Sequence, residues 1–174
     1  MIRVSTLAAV VLAVLAYPAA GMTLSSQDLS PNTVIPTQYI YPRCGGENVS
    51  PQLSWNGVPS GTKSLVLTMI DKSVKPAGWS HWIVVDLPAS AKALARNAKS
   101  LPGAAKAIPS NFGDPYYDGP CPPAGSGRHV YEFTLWALPV ATMLLQPDMK
   151  ATELESLLAK TAIDHASFSA FVTR

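Results

Sequence analysis

Alternating apolar and polar residues mark three segments in the middle of the chain. They read SLVLTMID at 64–71, HWIVVDL at 81–87 and HVYEFTLWAL at 129–138. A period of two is typical of β-strands, because successive side chains on a strand point to opposite faces. The intervening stretches are rich in proline and glycine, which interrupt strand pairing and favour turns. The pattern predicts an antiparallel, mostly β domain.

Each of these segments carries one row of mainly apolar side chains, and each row ends in a polar residue. The rows are Leu65, Leu67, Met69 and Asp71, then His81, Ile83, Val85 and Leu87, then His129, Tyr131, Phe133, Leu135 and Ala137. Residues of one row share a face of the strand, so their polar ends point the same way as the core. We therefore expect Asp71, His81 and His129 to line a pocket at the end of the core, roofed by residues 113–128.

Other parts of the chain carry weaker signals. Near the C-terminus, Thr152 and Glu155 fit a capping box at the start of a leucine stripe, which predicts one short helix. Residues 166–172 resemble a last strand at a sheet edge, and residues 89–111 lack a repeating apolar face. We interpret 89–111 as a long surface connection.

The N-terminus has the pattern of an export signal. Residues 1–21 combine an early Arg3, an apolar stretch and small residues where a signal peptidase could cut. The apolar stretch is shorter than the roughly 20 residues that span a bilayer, although an uncut membrane anchor is the alternative. We expect a signal peptide at 1–21, a single domain at 22–174, a periplasmic or secreted protein, and no stable membrane insertion after cleavage.

Composition limits the kinds of partner to expect, and the number of cysteines indicates whether they are bonded. The chain has 174 residues and a formal net charge of +2, without a run of basic residues, so we expect no nucleic-acid partner. Its two cysteines are Cys44 and Cys121. An even number in an oxidising compartment favours a disulfide between them, and two buried free thiols are the alternative.

Four ordered blocks of the sequence resemble a known family. They are CGGENVSPQLSWNGVPSGTKSLVLTMID at 44–71, HWIVVDLPA at 81–89, NFGDPYYDGPCPPAG at 111–125 and HVYEFTLWAL at 129–138. Together they are similar to the phosphatidylethanolamine-binding protein family, in its bacterial branch that resembles Raf kinase inhibitor protein. The resemblance implies a sandwich of two antiparallel sheets in Greek-key order with a small C-terminal helix.

The resemblance also implies a shallow pocket for phosphate-like or carboxylate-like groups, such as a phospholipid head group, with no cofactor and no catalysis. Carried over by motif, the ligand-binding residues are Asp71, His81, Gly119, Pro122, Pro123, His129 and Tyr131.

Elementary chemistry assigns roles to these residues. Imidazole N–H groups, the tyrosine hydroxyl and loop backbone N–H groups are expected to hold an anion. Gly119 would let the backbone approach the ligand, and the prolines would fix the loop in advance. Asp71 is expected to accept a hydrogen bond from one histidine and to favour its protonated form, so that anion affinity falls as pH rises through the histidine titration.

One segment departs from the family pattern. Members usually continue after the aspartate as D-P-D-x-P, whereas this chain reads DKSVKP from Asp71 to Pro76. Lys72 and Ser73 stand where the family has proline and a second acid. We expect the lysine to make the pocket rim more attractive to an anion by Coulomb attraction.

Three alternatives remain at the level of sequence. A hydrolase using Ser80 with an aspartate and a histidine lacks the G-x-S-x-G elbow, and Ser80 falls beside His81 on the opposite strand face. A metal site of two histidines and one carboxylate is neither supported nor excluded by the spacing. The third is docking of a protein partner through the pocket, for example to inhibit a protease or kinase, or through exposed residues such as Trp136. Aromatic residues on strands more often pack against a neighbouring layer.

Overall fold

The structure is a computed structural model that describes residues 21–145 and 149–174. Within these ranges the chain forms eight β-strands and one α-helix. In chain order the elements are β1 (Thr23–Ser25), β2 (Leu53–Asn56), β3 (Ser64–Asp71), β4 (Trp79–Pro88), β5 (Ala93–Leu94), β6 (Lys106–Ala107), β7 (Arg128–Leu138), α1 (Ala151–Thr161) and β8 (Asp164–Thr173).

The strands form two antiparallel sheets, as the sequence predicts. A three-stranded sheet has the order β1-β2-β5, and a five-stranded sheet has the order β6-β4-β3-β7-β8. The polar ends of β3 and β7 meet in the larger sheet, where Asp71 lies opposite Tyr131 in the register. β8 lies at the sheet edge, as expected for the last strand.

The main core fills the space between the two sheets. Leu67 and Met69 of β3 and Phe133 and Leu135 of β7 are fully buried there, and Trp55 of β2 faces them from the smaller sheet. Because only alternate residues of these strands enter this core, the predicted rows of β3 and β7 are confirmed. Burying a large apolar side chain contributes roughly 1.5–3 kcal/mol, so these rows dominate the stability of the fold.

The predicted row of β4 is wrong at Ile83 and Val85, because two irregularities interrupt the pairing of β4 with β3. Met69 pairs with Trp82 and the next residue, Ile70, pairs with Ser80, so His81 is the extra residue of a β-bulge. A bulge changes the alternation of side chains. Trp82 therefore packs between the sheets, whereas Ile83 and Val85 belong to a separate cluster on the other face of the sheet.

Helix α1 covers that other face of the larger sheet. Leu154 and Leu158 of the helix pack in one cluster with Trp136, which is only 5% exposed. The interpretation of Trp136 as an exposed contact residue is therefore wrong. Its indole N–H donates to the Thr68 hydroxyl at 3.1 Å, which satisfies the buried polar group.

The helix begins two residues earlier than the predicted capping box requires. Its first residue is Ala151, and the Glu153 carboxylate accepts a hydrogen bond from the Lys150 backbone N–H at 3.4 Å. The Thr152 backbone N–H instead donates to the Ala77 carbonyl at 3.1 Å, so Thr152 lies inside the first turn. The capping acid is thus Glu153 rather than Glu155.

Residues 89–111 hold two short strands that the sequence pattern does not reveal. β5 and β6 have two residues each, which is too short for an alternating signal. The rest of this region is turns and irregular structure.

The predicted signal peptide at 1–21 lies outside the described residues apart from Gly21. No helix in the described ranges is long and apolar enough to cross a membrane.

A disulfide ties the loop before β2 to the loop before β7. Cys44 and Cys121 are bonded, with their Cα atoms 5.5 Å apart and a sequence separation of 77. The C-terminal Arg174 reinforces the second loop, because its guanidinium donates to the Pro122 carbonyl at 3.2 Å. Both loops are thereby fixed beside the end of the core.

We predict that replacing both cysteines with serine lowers the free energy of unfolding by about 4 kcal/mol, since the disulfide closes a long loop and restricts the unfolded chain. Urea unfolding followed by tryptophan fluorescence measures this difference. Reductant should lower the wild-type midpoint and leave the double variant unchanged. Equal midpoints for oxidised wild type and variant would contradict the prediction.

Candidate functional site

A small cavity lies where the polar ends of β3, β4 and β7 meet. Its volume is about 220 Å³. It is lined by Asp71, Val74, Trp79, His81, Phe112, Cys121, Pro122, Pro123, His129 and Tyr131. Six of the seven residues proposed as ligand-binding are in this lining, and Gly119 is not.

Asp71 and His129 form a short polar pair at the mouth of this cavity. The Nδ1 atom of His129 lies 2.6 Å from Asp71 Oδ2, and the two side chains are 12% and 4% exposed. The other carboxylate oxygen accepts the Ser73 backbone N–H at 2.8 Å. Because Asp71 uses both oxygens inside the protein, it fixes the imidazole ring with Nε2 left free for another partner.

His81 is held differently, in an almost completely buried position. Its Nδ1 lies 2.8 Å from the Asp118 carbonyl oxygen, and the Asp118 N–H donates back to the His81 carbonyl at 3.0 Å. Burial lowers the pKa of His81 to about 4, although the Asp118 carbonyl and the Asp71 charge favour the protonated ring. The ring is therefore neutral near pH 7 and carries its hydrogen on Nδ1, where it is bonded to the Asp118 carbonyl. His81 thus does not offer this N–H to an anion, contrary to our expectation.

Tyr131 is one of the residues that line the cavity. The side chain is fully buried, and in the described part of the chain its hydroxyl has no hydrogen-bond partner. Burial, together with the nearby Asp71 charge, raises the pKa of Tyr131 far above its ordinary value. The group therefore remains a neutral phenol that can donate a hydrogen bond.

Gly119 has a packing role rather than a place in the cavity. A Cβ atom at this position would lie 2.3 Å from the Tyr39 carbonyl oxygen, so only glycine lets the two loops approach each other. Its N–H is already used, since it donates to Asn48 Oδ1 at 2.7 Å. This loop therefore does not offer the Gly119 N–H to a ligand, contrary to our expectation.

Aromatic rings surround the cavity mouth, and sequence reasoning missed them. Phe112 lies 5.0 Å from the His81 ring, 5.5 Å from Tyr41 and 5.9 Å from Trp79 between ring centroids. Trp79 is 38% exposed. The only sequence signal is position, because Trp79 precedes the His81 bulge and Phe112 lies in the NFGDP block.

Lys72 does not enrich the rim with positive charge. Its Nζ lies 2.6 Å from Glu155 Oε2 on α1 and 3.5 Å from Glu132 Oε1 on β7. Alternation along β3 explains this, because Asp71 faces the cavity and the next side chain faces the helix. The expectation that Lys72 attracts an anion is therefore wrong.

Ser73 has a structural role in the same turn. Its hydroxyl accepts the Val130 N–H at 3.0 Å, and its own N–H donates to Asp71. Although Ser73 departs from the family pattern, its hydrogen bonds to Asp71 and Val130 hold Asp71 in position.

The hydroxyl of Ser80 is also engaged within the protein. It donates to Asn111 Oδ1 at 2.9 Å, accepts the Asn111 N–H at 2.9 Å, and is absent from the cavity lining. Among the described residues, no group of three or more His, Cys, Asp or Glu side chains is arranged to hold a metal ion.

A larger cavity of about 650 Å³ lies on the other side of the 111–118 loop. Its lining includes Trp82, Tyr116, Tyr117, Asn48 and Lys99. It contains none of the residues proposed as ligand-binding. The smaller cavity is therefore the candidate site, because the converging polar groups lie there.

Asp118 is a buried acid beside this site. Its Oδ1 atom has no hydrogen-bond partner in the described ranges, and its Oδ2 is 3.4 Å from the Ser110 hydroxyl. Burial, with a contribution from Asp114, raises the pKa of Asp118 to about 6. The carboxyl group thus keeps its proton well above the ordinary range for an aspartate.

His81 and Asp118 should affect stability in opposite directions between pH 4 and 6. The lowered pKa of His81 means that the unfolded chain binds the extra proton, so stability from this residue falls as pH falls from 6.5 to 4. The raised pKa of Asp118 means that the folded chain keeps the proton, so its contribution falls as pH rises through about 6.

We predict that Asp118→Asn makes the free energy of unfolding rise more steeply from pH 4 to 6 than in the wild type, because the opposing contribution is removed. Urea midpoints at several pH values measure the slope. Glu47→Gln, at an exposed acid, is the control and should leave the slope unchanged. An unchanged slope in Asp118→Asn would contradict the assigned protonation state.

Comparison with known proteins finds relatives that match most of this chain. The chain matches the family model described as phosphatidylethanolamine-binding protein over residues 25–173. The protein YbcL of Escherichia coli is 36% identical over 128 residues, covering 69% of this chain and 70% of that protein. A Mycobacterium tuberculosis relative that bears the name lipoprotein LppC is 34% identical and covers 83% of this chain and 69% of its own length.

Solved structures show the same fold. The crystal structure of E. coli YbcL is described as a new member of the mammalian PEBP family. It has a TM-score of 0.79 and 29% identity, and the match covers 87% of this chain and 98% of that one. A homologue from Chlamydia trachomatis has a TM-score of 0.71 and 30% identity, with 88% and 98% covered. On these matches, this chain belongs to the phosphatidylethanolamine-binding protein family.

Proposed function

We propose that this chain is an exported, non-catalytic binding protein that holds a small anion in the 220 Å³ cavity. The ligand is a phosphate-like or carboxylate-like group, such as a phospholipid head group. The observation that carries this proposal is the hydroxyl of Tyr131, a cavity-lining residue, which is buried without a partner among the described residues.

An unpaired buried hydroxyl is costly for a folded protein. Leaving such a group unsatisfied costs on the order of 1–3 kcal/mol, so a buried hydroxyl in a cavity-lining residue favours a ligand that reaches it. An anionic oxygen accepts hydrogen bonds strongly, so it suits the O–H of a neutral phenol. A bound anion would therefore offset a cost that the free protein carries.

The His129–Asp71 pair supplies charge to the same cavity. When the His129 ring is protonated, it forms an ion pair with Asp71 through Nδ1 and directs its Nε2–H outward. The carboxylate is then balanced by the ring, so it repels an incoming anion less than a free carboxylate would.

The mouth of the cavity suits an anion that is attached to a larger molecule. Trp79 and Phe112 provide apolar surface in the lining of the small cavity, and Tyr41 stacks on Phe112. Aromatic surface next to a polar pocket is typical of sites that bind amphipathic ligands. These rings would contact the part of the ligand that stays outside.

Export is supported by three independent features. The N-terminal segment has the composition of a signal peptide, the two cysteines are bonded, and a M. tuberculosis relative bears the name of a lipoprotein. Disulfides persist in oxidising compartments. We therefore propose a periplasmic or secreted location.

The proposal predicts opposite effects of Tyr131→Phe on binding and stability. Phosphate affinity at pH 6 should fall about tenfold, since a hydrogen bond to a charged group is lost. The free energy of unfolding should stay equal or rise, because the removed hydroxyl is unpaired in the free protein. Calorimetric titration and urea unfolding measure the two quantities. Wild-type protein that binds no phosphate, or a variant that binds as well as wild type, would refute the proposed function.

Lys72→Met tests whether a positive charge outside the cavity contributes to phosphate affinity. Since Lys72 pairs with Glu155 and Glu132 outside the cavity, phosphate affinity should change less than about twofold, as expected for a remote and partly screened charge. The same titration at fixed ionic strength checks this. A tenfold loss would mean that Lys72 reaches the ligand.

A further inference from the structure

The Cys44–Cys121 disulfide borders the candidate site, because Cys121 is one of the residues that line the 220 Å³ cavity. We propose that Cys121 is a site of reversible modification, at which a small anionic thiol displaces Cys44 and forms a mixed disulfide. The thiol is a low-molecular-weight compound that carries a carboxylate or sulfonate group. This chemistry does not depend on what the cavity binds, and only its effect on the cavity rests on the proposed function.

The disulfide lies in a region that solvent reaches. Both cysteines are partly exposed. Arg43 and Gly45 on either side of the first cysteine are exposed, and so are residues 123–126 after the second. Exposed disulfides are the ones that exchange with thiols, whereas buried ones are protected. A small thiol can therefore approach this bond while the core between the sheets stays folded.

The two sulfur atoms of the bond have different surroundings. Nη1 of Arg174 lies 2.6 Å from Cys44 Sγ and 4.0 Å from Cys121 Sγ. The arginine is held there, because its guanidinium donates to the Pro122 carbonyl at 3.2 Å and its backbone exchanges two hydrogen bonds with Gly127. A guanidinium stabilises a thiolate, and the more stable thiolate is the better leaving group. Cys44 is therefore the sulfur that leaves, and the thiol attacks Cys121.

The exchange needs no oxidant or reductant other than the thiol. The entering thiolate attacks Cys121 Sγ, where a new S–S bond forms as the old one breaks. The electron pair of the old bond goes to Cys44 Sγ, which becomes a thiolate beside Arg174. The modification is reversible, because the Cys44 thiolate can attack Cys121 Sγ again and expel the thiol.

Positive charge near the disulfide favours an anionic thiol over a neutral one. Arg43 precedes the first cysteine in the chain, and Arg128 begins β7 beside the end of β8, which leads directly into Arg174. Glu47, the acid of the first loop, lies in the lining of the larger cavity instead. A local excess of one sign of charge raises the concentration and the association rate of the opposite ion.

An adduct on Cys121 changes the candidate site in two ways. It adds a charged group to a residue of the lining, and it releases the second loop from its bond to the first. Pro122 and Pro123, which follow Cys121, are also in the lining. If the cavity binds an anion as proposed, the modified protein should bind it more weakly.

The test treats the folded wild-type protein with mercaptoethanesulfonate, traps free thiolates with iodoacetamide, and identifies the modified peptides by mass spectrometry. The adduct should lie on Cys121 and the alkyl group on Cys44, in at least about fivefold excess over the reverse. In concentrated urea the excess should disappear, because unfolding removes the Arg174 contact. An adduct mainly on Cys44, equal amounts in the folded protein, or no adduct would overturn the inference.

Variants test the leaving-group effect with neutral mercaptoethanol, which takes no part in charge attraction. Arg174→Gln should react at least about fivefold more slowly than wild type and lose the preference for Cys121. Arg43→Gln, the same change at an exposed arginine next to Cys44, is the control and should alter the rate less than about twofold. A rate for Arg174→Gln equal to that of the control would contradict the role of the guanidinium.

Salt tests the preference for an anionic thiol. The ratio of the wild-type rates with mercaptoethanesulfonate and with mercaptoethanol should fall as salt is added, because salt screens the arginines. A ratio that does not change with salt would contradict this preference.

Phosphate titration of the isolated adduct distinguishes this inference from the proposed function. Where the unmodified protein binds phosphate, the adduct should bind it at least about tenfold more weakly. Equal affinities would overturn the effect on the cavity. Unmodified protein that binds no phosphate would refute the proposed function, whereas an adduct on Cys121 would still establish the modification site.

Discussion

The cost of leaving polar groups unpaired inside a hydrocarbon core governs the end of this β-sandwich. Asp71, His81, His129 and Tyr131 lie where the inter-sheet core stops. Three of them are satisfied by the protein, through the Asp71–His129 pair and the Asp118 carbonyl that holds His81. In the described ranges the Tyr131 hydroxyl has no such partner, and this imbalance turns a sheet end into a candidate binding site.

Backbone irregularities give the cavity its shape. The β4 bulge brings His81 to the cavity while the following Trp82 enters the core, which regular alternation would forbid. Gly119 permits loop contact that no other residue allows, and the Cys44–Cys121 bond holds the same two loops. The site therefore depends on a rigid frame in which small departures from ideal strands orient individual side chains.

Much of this arrangement is readable from sequence, and the failures have physical causes. The rows of β3 and β7 and the convergence of Asp71 and His129 follow from period-two alternation within regular strands. The prediction for β4 was wrong because a bulge depends on pairing with a neighbouring strand, which the sequence of β4 alone does not show. The predictions that Lys72 adds positive charge to the cavity rim and that Trp136 is exposed were also wrong, because both side chains pack or pair with α1 on the second face of the sheet. The protonation of His81 and Asp118 depends on burial, which no local pattern encodes.

The most direct measurement is a crystal structure of the protein grown with phosphate at pH 6. We expect one phosphate in the cavity, with oxygens within hydrogen-bond distance of the Tyr131 hydroxyl and His129 Nε2. A phosphate bound only elsewhere, or a cavity without phosphate at concentrations that saturate related binding proteins, would contradict an anion site at the end of this core.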